Sequence, residues 1–174
     1  HIEKGETVGI TGKTGCGKSS IVGLITRQFD PSMGEILVDG KDLKEIHLED
    51  FRKSVALVPQ EVFLFSDTIR NNVSFGSLVP VSDEEIIEVL KLAHVWHNIE
   101  LFPQGLDTQL GELGINLSGG QKQRINIARA LIRKPKLLIL DDCLSAVDTE
   151  TENTILHNLA QLPYKPTIVM VGHR

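Results

Sequence analysis

The chain has 174 residues, 41% of them hydrophobic and 24% charged, a balance that fits one globular domain and excludes a disordered or fibrous chain. Eighteen Lys and Arg stand against 23 Asp and Glu, giving a net charge of −5, which disfavours a broad basic face for duplex nucleic acid and leaves room only for a local basic groove. Two cysteines, Cys16 and Cys143, are too few for a disulfide framework, no CxxC pair points to structural zinc, and no apolar run approaches the ~18 residues of a membrane span. A reducing cytoplasm is the default setting. The start, His1-Ile2-Glu3-Lys4-Gly5, has neither a charged leader nor an apolar signal core, and both ends read as cut from a longer polypeptide.

In chain order, Thr7-Val8-Gly9-Ile10-Thr11 predicts a short strand, followed by a glycine loop and helical spacing at Ile21, Leu24 and Ile25. Glu35-Ile36-Leu37-Val38, closed by Asp39-Gly40, reads as a second strand with a tight turn, and Val55-Ala56-Leu57-Val58 before Pro59 as a third. From about 67 to 105 the pattern is helical. Ser82 and Glu85 form a capping box there, with Val81 placed to staple onto Ile86 ahead of an apolar face of Ile86, Val89, Leu90 and Ala93. After a glycine-punctuated loop at 105–116, Ser118 and Gln121 make a second capping box, opening a helix with Ile125, Ala128 and Ile132 inward that Pro135 stops. Leu137-Leu138-Ile139-Leu140 and Thr167-Ile168-Val169-Met170-Val171 are continuous apolar runs, as in strands buried on both faces, with a helix marked by Ile155, Leu156, Leu159 and Leu162 between them. The expected fold is α/β: a mainly parallel sheet flanked by helices, with a helical insert and no internal repeat.

Three stretches carry chemistry. Gly12-Lys13-Thr14-Gly15-Cys16-Gly17-Lys18-Ser19 fits G-x-x-x-x-G-K-[ST] and sits after a strand and before a helix, as a P-loop NTPase requires. Glycines let a row of backbone N–H groups curve around a polyphosphate, and the helix that follows presents its positive end. Gly12, Thr14, Gly15, Cys16, Gly17, Lys18, Ser19 and Ser20 are the candidate phosphate contacts; Lys18 would reach the β- and γ-phosphates and Ser19 a magnesium ion. Leu137 to Leu140 ends in Asp141-Asp142, two carboxylates at the carboxyl end of a buried strand, where open α/β sheets bind ligands. Asp141 is the expected magnesium-side carboxylate. Asp142 either orients or deprotonates an attacking water, or only caps a turn. Leu117-Ser118-Gly119-Gly120-Gln121 is, by itself, fully explained as a helix start.

With the phosphate loop, the strand carboxylates and Val58-Pro59-Gln60 in this order, the chain resembles the nucleotide-binding domain of ABC transporters, whose signature is LSGGQ. The resemblance covers essentially the whole chain. It implies an ATP-binding core at 1–66 and 117–174, a helical subdomain at about 67–116, and N-terminal strands and a C-terminal end that lie outside this piece. By the resemblance Gln60 is the Q-loop glutamine and a magnesium contact, Ser145-Ala146-Val147-Asp148 the D-loop and His173 the switch histidine, placed to contact the γ-phosphate and the attacking water. Glu112, within Thr108 to Gly114, looks like the short loop that precedes the signature in exporter-type members, and Val62 to Asn72 is also similar to exporters.

The resemblance further implies ATP and magnesium as ligands, and dimerisation in which each ATP lies between one copy's phosphate loop and the other's Ser118, Gly119, Gly120 and Gln121. It implies transmembrane partners meeting the chain near Gln60 and the helical insert, at the cytoplasmic face of the inner membrane. Two departures stand out. The family usually has Glu after the magnesium aspartate, and Asp142 is one methylene shorter, which predicts slow hydrolysis and, by likeness, the degenerate half of a heterodimeric exporter with a non-identical sister. The residue before His173 is Gly172 instead of Ser or Thr.

The aromatic that stacks on adenine in the family lies upstream of this chain, so the piece alone is expected to bind ATP weakly and to discriminate poorly between purines. A low-activity ATP-binding regulatory half is the second reading. A soluble DNA-repair ABC ATPase is the third, disfavoured by the acidic balance and by an insert of only about 40 residues. His94 and His97, three apart on a helix without a third ligand, and Trp96 are expected to be surface or packing residues. Cys16 and Cys143 could approach across neighbouring strands and form a redox lock.

Overall fold

The computed structural model describes residues 1–111 and 117–172. Four parallel strands form its centre: β1 (Thr7–Thr11), β4 (Val55–Val58), β5 (Leu137–Asp141) and β6 (Thr167–Gly172), in the spatial order β1-β6-β5-β4. The hairpin strands β2 (Leu37–Val38) and β3 (Lys41–Asp42) stand apart as an antiparallel pair. The two-residue turn joining them takes positive φ at both Asp39 (50°) and Gly40 (78°), the backbone that matches strand twist and that an Asp-Gly pair tolerates.

Helix α1 (Lys18–Ile25) follows β1, and α2 (Leu48–Ser54) precedes β4. Helices α3 (Ile69–Ser74), α4 (Asp83–Leu92) and α5 (Trp96–Ile99) come next, then α6 (Gly119–Leu131) before β5 and α7 (Thr149–Ala160) before β6. Both capping boxes are present: the Ser82 hydroxyl accepts from the Glu85 N–H and the Glu85 carboxylate from the Ser82 N–H, with the same exchange between Ser118 and Gln121. Arg70 on α3 bridges Asp83, at the start of α4, and Asp107, and these two bonds raise its pKa above the usual guanidinium value.

The sheet separates two apolar clusters. Leu138 and Leu140 of β5 face Val58, Ile69, Leu90, Ile125 and Ile155 on one side. Ile139, between them, faces Val22, Phe51, Val55 and Val169 on the other. Burial on both faces is why β5 is a continuous apolar run and not an alternating one. The inward side of α1 differs from the expected one: Ile21 is exposed, while Val22 and Gly23 are buried. Val22 and Ile25 pack against the cluster that holds Ile139 and Val169, and Ile21 lies outside it.

The cysteine pairing also needs correction. β1 and β5 are not neighbours, because β6 lies between them, so Cys16 and Cys143 follow strands separated by a third. Both are free thiols, Cys16 exposed and Cys143 buried.

Leu138, fully buried in the central strand, tests the core. Leu138→Ala should lower the unfolding free energy by about 2–5 kcal/mol, seen as a reduced urea midpoint at unchanged slope. The same change at Leu101, 80% exposed, should stay within about 0.5 kcal/mol.

Candidate functional site

All four parallel strands bring their carboxyl ends to one edge of the sheet. β1 leads there into the glycine loop, β4 into Gln60, and β5 into Asp141 and Asp142. The loop turns onto α1 through Gly15 (φ 81°) and Gly17 (φ 97°), left-handed conformations that side chains resist. A Cβ at Gly12 would come within 2.7 Å of the exposed Cys16 Sγ, so that thiol would have to turn aside. Gly17 caps α1 without a side-chain acceptor, and the first intrahelical bond runs from the Ile21 N–H to the Gly17 carbonyl. The amides of Lys18, Ser19 and Ser20 therefore have no intrahelical partner, and no acidic residue sits in the first turn.

Lys18 is only 8% exposed. Its ammonium points back into the loop, where it donates to the Gly12 carbonyl at 2.6 Å and the Lys13 carbonyl at 3.2 Å. A cation is thus held inside the bend, where the Cys16 N–H also donates to the Lys13 carbonyl at 3.2 Å. Thr14, Gly15, Cys16, Ser19 and Ser20 are exposed around it. The combination suits a polyanion.

Asp141 and Asp142, at the end of β5, are half-buried. The Gln60 side-chain amide donates from Nε2 to Asp142 Oδ2 at 3.1 Å, joining the loops after β4 and β5. Asp142 takes φ 46°, its N–H donates to the Val171 carbonyl at 2.8 Å, and its own carbonyl accepts from Ser145 Oγ at 2.9 Å. Cys143, next in the chain, has its thiol pushed up to about 12, mainly by burial.

A second helix N-terminus opens at Ser118. Gly119 and Gly120 begin α6 with no acidic residue in the first turn, and the first intrahelical donor is Lys122. The Gln121 amide is met by the Ser118 hydroxyl, so those of Gly119 and Gly120 remain for an outside acceptor. Gly120 packs so near the Ala146 carbonyl, 3.1 Å from a built Cβ, that a side chain would push the 145–148 segment away. Arg124 fixes this turn: it bonds the Gly120 carbonyl at 3.2 Å, the His94 carbonyl, and Asn98 Oδ1 at 3.3 Å. Asp148 caps α7, and the Thr151 N–H it accepts holds its carboxyl below the usual range.

His173 and Glu112 lie outside the described residues. Among the described residues no cluster of three His, Cys, Asp or Glu could cage a metal. His94 and His97 pack ring against ring, 4.7 Å between centroids, and burial, then His97 and Arg124, hold His94 below its usual pKa. Trp96 packs against the main core.

Arg124, Arg129 and Asn72 escaped the sequence reading. Arginines in a helix read as a solvated face; the available hint was Asn72 inside α3, a poor helix former that stays there when its side chain bonds backbone elsewhere.

A parallel sheet with a glycine loop and buried lysine at its carboxyl edge defines a P-loop nucleotide-binding domain. The chain belongs to the ABC transporter family, whose family model, described as ABC transporter, matches residues 1–145. The ATP-dependent lipid A-core flippase of Pasteurella multocida is 46% identical over 173 residues, 99% of this chain and 30% of that protein. Multidrug resistance protein 1 of Entamoeba histolytica is 45% identical over 176 residues, all of this chain and 14% of its own length. Among solved structures, a bacterial Atm1-family ABC exporter with ATP bound superposes with a TM-score of 0.93 at 39% identity, covering 99% of this chain and 30% of that one. The chain thus spans about a third or less of the relatives it matches.

The two thiols should react differently. Under native conditions a maleimide should add once, at Cys16, and a second time only in denaturant; two native adducts by mass spectrometry would contradict the burial of Cys143.

Proposed function

We propose that this chain is the ATP-binding and ATP-hydrolysing motor domain of a membrane exporter. The observation that carries the reading is the loop at Gly12–Ser20: first amides of α1 without an intrahelical acceptor, with the Lys18 ammonium among the Gly12 and Lys13 carbonyls. The amides around Gly15 and Gly17 and those of Lys18, Ser19 and Ser20 would hold the β- and γ-phosphates, with Lys18 neutralising their charge. Kinship with proteins named as a flippase and as a multidrug resistance protein supports the exporter assignment.

Ser19, Gln60 and Asp141 would hold magnesium. They offer a hydroxyl, an amide oxygen and a carboxylate, the hard donors this ion takes alongside phosphate and water. Gln60 meets Asp142 through Nε2, so its Oε1 is not used by that bond. Magnesium, when bound, neutralises charge on the phosphate oxygens. The Asp142 carboxylate would orient or deprotonate the attacking water, and His173 would contact the γ-phosphate.

Residues 1–66 and 117–174 would form the ATP-binding core and 67–116 the helical subdomain. A second nucleotide-binding domain, a non-identical sister half, would have its ATP closed over by Ser118, Gly119, Gly120 and Gln121 of this chain, because the capping box at the positive end of α6 leaves the Gly119 and Gly120 amides without an intrahelical partner. Transmembrane domains at the cytoplasmic face of the inner membrane would meet a cavity of about 510 Å3 lined by Phe65, Ser66, Asp67, Asn71, Ser74 and Phe75. Phe75, which lines it, and Phe63, whose ring packs against that of Phe65, are 67% and 65% exposed, the composition of an interface core. Loss of the γ-phosphate would weaken the closed dimer and reset these partners.

Asp142 favours a second reading, in which this chain holds ATP as a regulatory half while the sister does most of the chemistry. Lys18→Ala should weaken Mg-ATP binding on the order of 10- to 100-fold, the worth of a charge-assisted contact, by calorimetry on the intact transporter; unchanged affinity would remove the phosphate-loop assignment. Asp142→Glu should raise single-turnover hydrolysis at this chain's site on the order of a hundredfold. An unchanged rate would mean that acid length does not limit this site and that the degenerate-half reading is wrong.

A further inference from the structure

Away from the nucleotide loop, the densest polar contacts surround Arg129 on α6. Its guanidinium donates from Nε to the Asn72 carbonyl and from Nη2 to Asn72 Oδ1, both at 2.7 Å, and from Nη1 to the Phe63 carbonyl at 2.8 Å. A looser contact reaches Asn126 Oδ1 at 3.5 Å, and the guanidinium carbon lies 5.4 Å from the centre of the Phe65 ring. Burial holds its pKa below the usual value, and none of these bonds goes to a carboxylate.

Asn72 completes the knot. It is fully buried, and its Nδ2 donates to the Phe65 and Thr68 carbonyls, both at 3.0 Å, while Oδ1 also accepts the Phe65 N–H at 2.8 Å. Two side chains therefore fix the backbone from 63 to 68 against α6. Among the described residues no carboxylate bonds this partly desolvated cation, which is costly to keep, and the single ammonium of a lysine could not reproduce the guanidinium fork that reaches both the carbonyl and the side chain of Asn72. Gly76 closes the junction on the other side, where a Cβ would come within 2.0 Å of the Arg129 carbonyl; the end of α3 cannot slide along α6.

The knot lies between two functional surfaces. α6 begins at the anion-ready turn of Ser118–Gly120, and Arg129 stands eleven residues beyond the cap, about 16 Å along the helix. Phe65, Ser66 and Asp67 of segment 63–68 form a lip of the cavity assigned to the transmembrane partners. We infer that Arg129, acting through Asn72, is a positioning residue that converts displacement of α6 by nucleotide into displacement of the Phe65–Asp67 lip. The inference rests on the proposed function, which places nucleotide at the start of α6. A planar guanidinium engaging both the carbonyl and the side chain of one residue resists rotation, so the link transmits a push as well as a pull.

The test uses the intact transporter and Arg129→Lys, which keeps the charge and removes the fork. Hydrogen exchange is read by mass spectrometry on peptides spanning 63–76, with and without Mg-ATP, and ATP affinity is measured on the same samples. The unmodified protein should show an ATP-dependent change in these peptides. Arg129→Lys should bind ATP within twofold of it, lose at least fivefold of that change, and lose transported-substrate stimulation of ATPase activity to a similar degree. A full exchange response in Arg129→Lys, or a parallel fall in ATP affinity and response as from general destabilisation, overturns the inference and leaves the functional reading intact. Failure of the unmodified protein to bind ATP overturns both. If the lysine variant does not fold, Phe65→Leu removes the ring under the guanidinium and leaves its hydrogen bonds; the response should then fall at least twofold, and an undiminished response overturns the inference.

Discussion

Backbone N–H groups can converge on one anion only where the chain bends without a Cβ in the way, and this requirement organises the molecule. Gly15 and Gly17 meet it with left-handed φ, and α1 then lines up its first amides behind the bend. A bend of this kind is useful only if other loops reach the same place. Parallel strands guarantee that, since every carboxyl end falls on one edge, whereas an antiparallel neighbour would have carried Gln60 or Asp141 to the far side. The buried faces of β5 and β6 follow, because a parallel sheet needs helical cover on both sides.

Concentrating positive charge in this way has an electrostatic cost that the structure offsets locally. The Lys18 ammonium, nearly buried, is solvated by two loop carbonyls. Arg124 is handled similarly, by the carbonyls of Gly120 and His94. Carbonyls of this kind lower the cost of burying a cation by offering it oriented dipoles in place of water.

Features set by neighbouring residues were legible in the sequence. Both capping boxes, the Asp39-Gly40 turn, the phosphate loop with its strand and helix, and the doubly buried β5 each depend on residues within a few positions of one another. Lateral strand order depends on nothing local, so β6 between β1 and β5 could not be read, and the imagined approach of Cys16 to Cys143 failed with it. The inward face of α1 was ambiguous because Ile21, Val22, Leu24 and Ile25 form one apolar arc on a helix only two turns long, and nothing local selects Val22 over Ile21. Asn72 and Arg129 are 57 positions apart; their pairing is a product of the fold, and each alone reads as an ordinary surface polar residue.

Asp142 answers a backbone demand and a chemical one at once. Its φ of 46° lies where Asp and Asn are the non-glycine residues most often found, because their short side chains bond nearby groups. The conformation is nonetheless imposed from outside, by the Val171 carbonyl on its N–H and the Ser145 hydroxyl on its carbonyl. A longer acid at this position would keep the same backbone at a cost on the order of 1 kcal/mol and differ chiefly in reach. The short carboxylate is satisfied by the Gln60 amide at 3.1 Å, which directs one of its oxygens toward that amide instead of toward a water. None of the amides that would clamp a triphosphate, at Gly15 to Ser20 or at Gly119 and Gly120, depends on this acid. On the proposed reading, shortening the acid therefore slows the chemistry and leaves the clamp whole, so a half carrying Asp142 can hold nucleotide between subunits for longer than one built for rapid turnover.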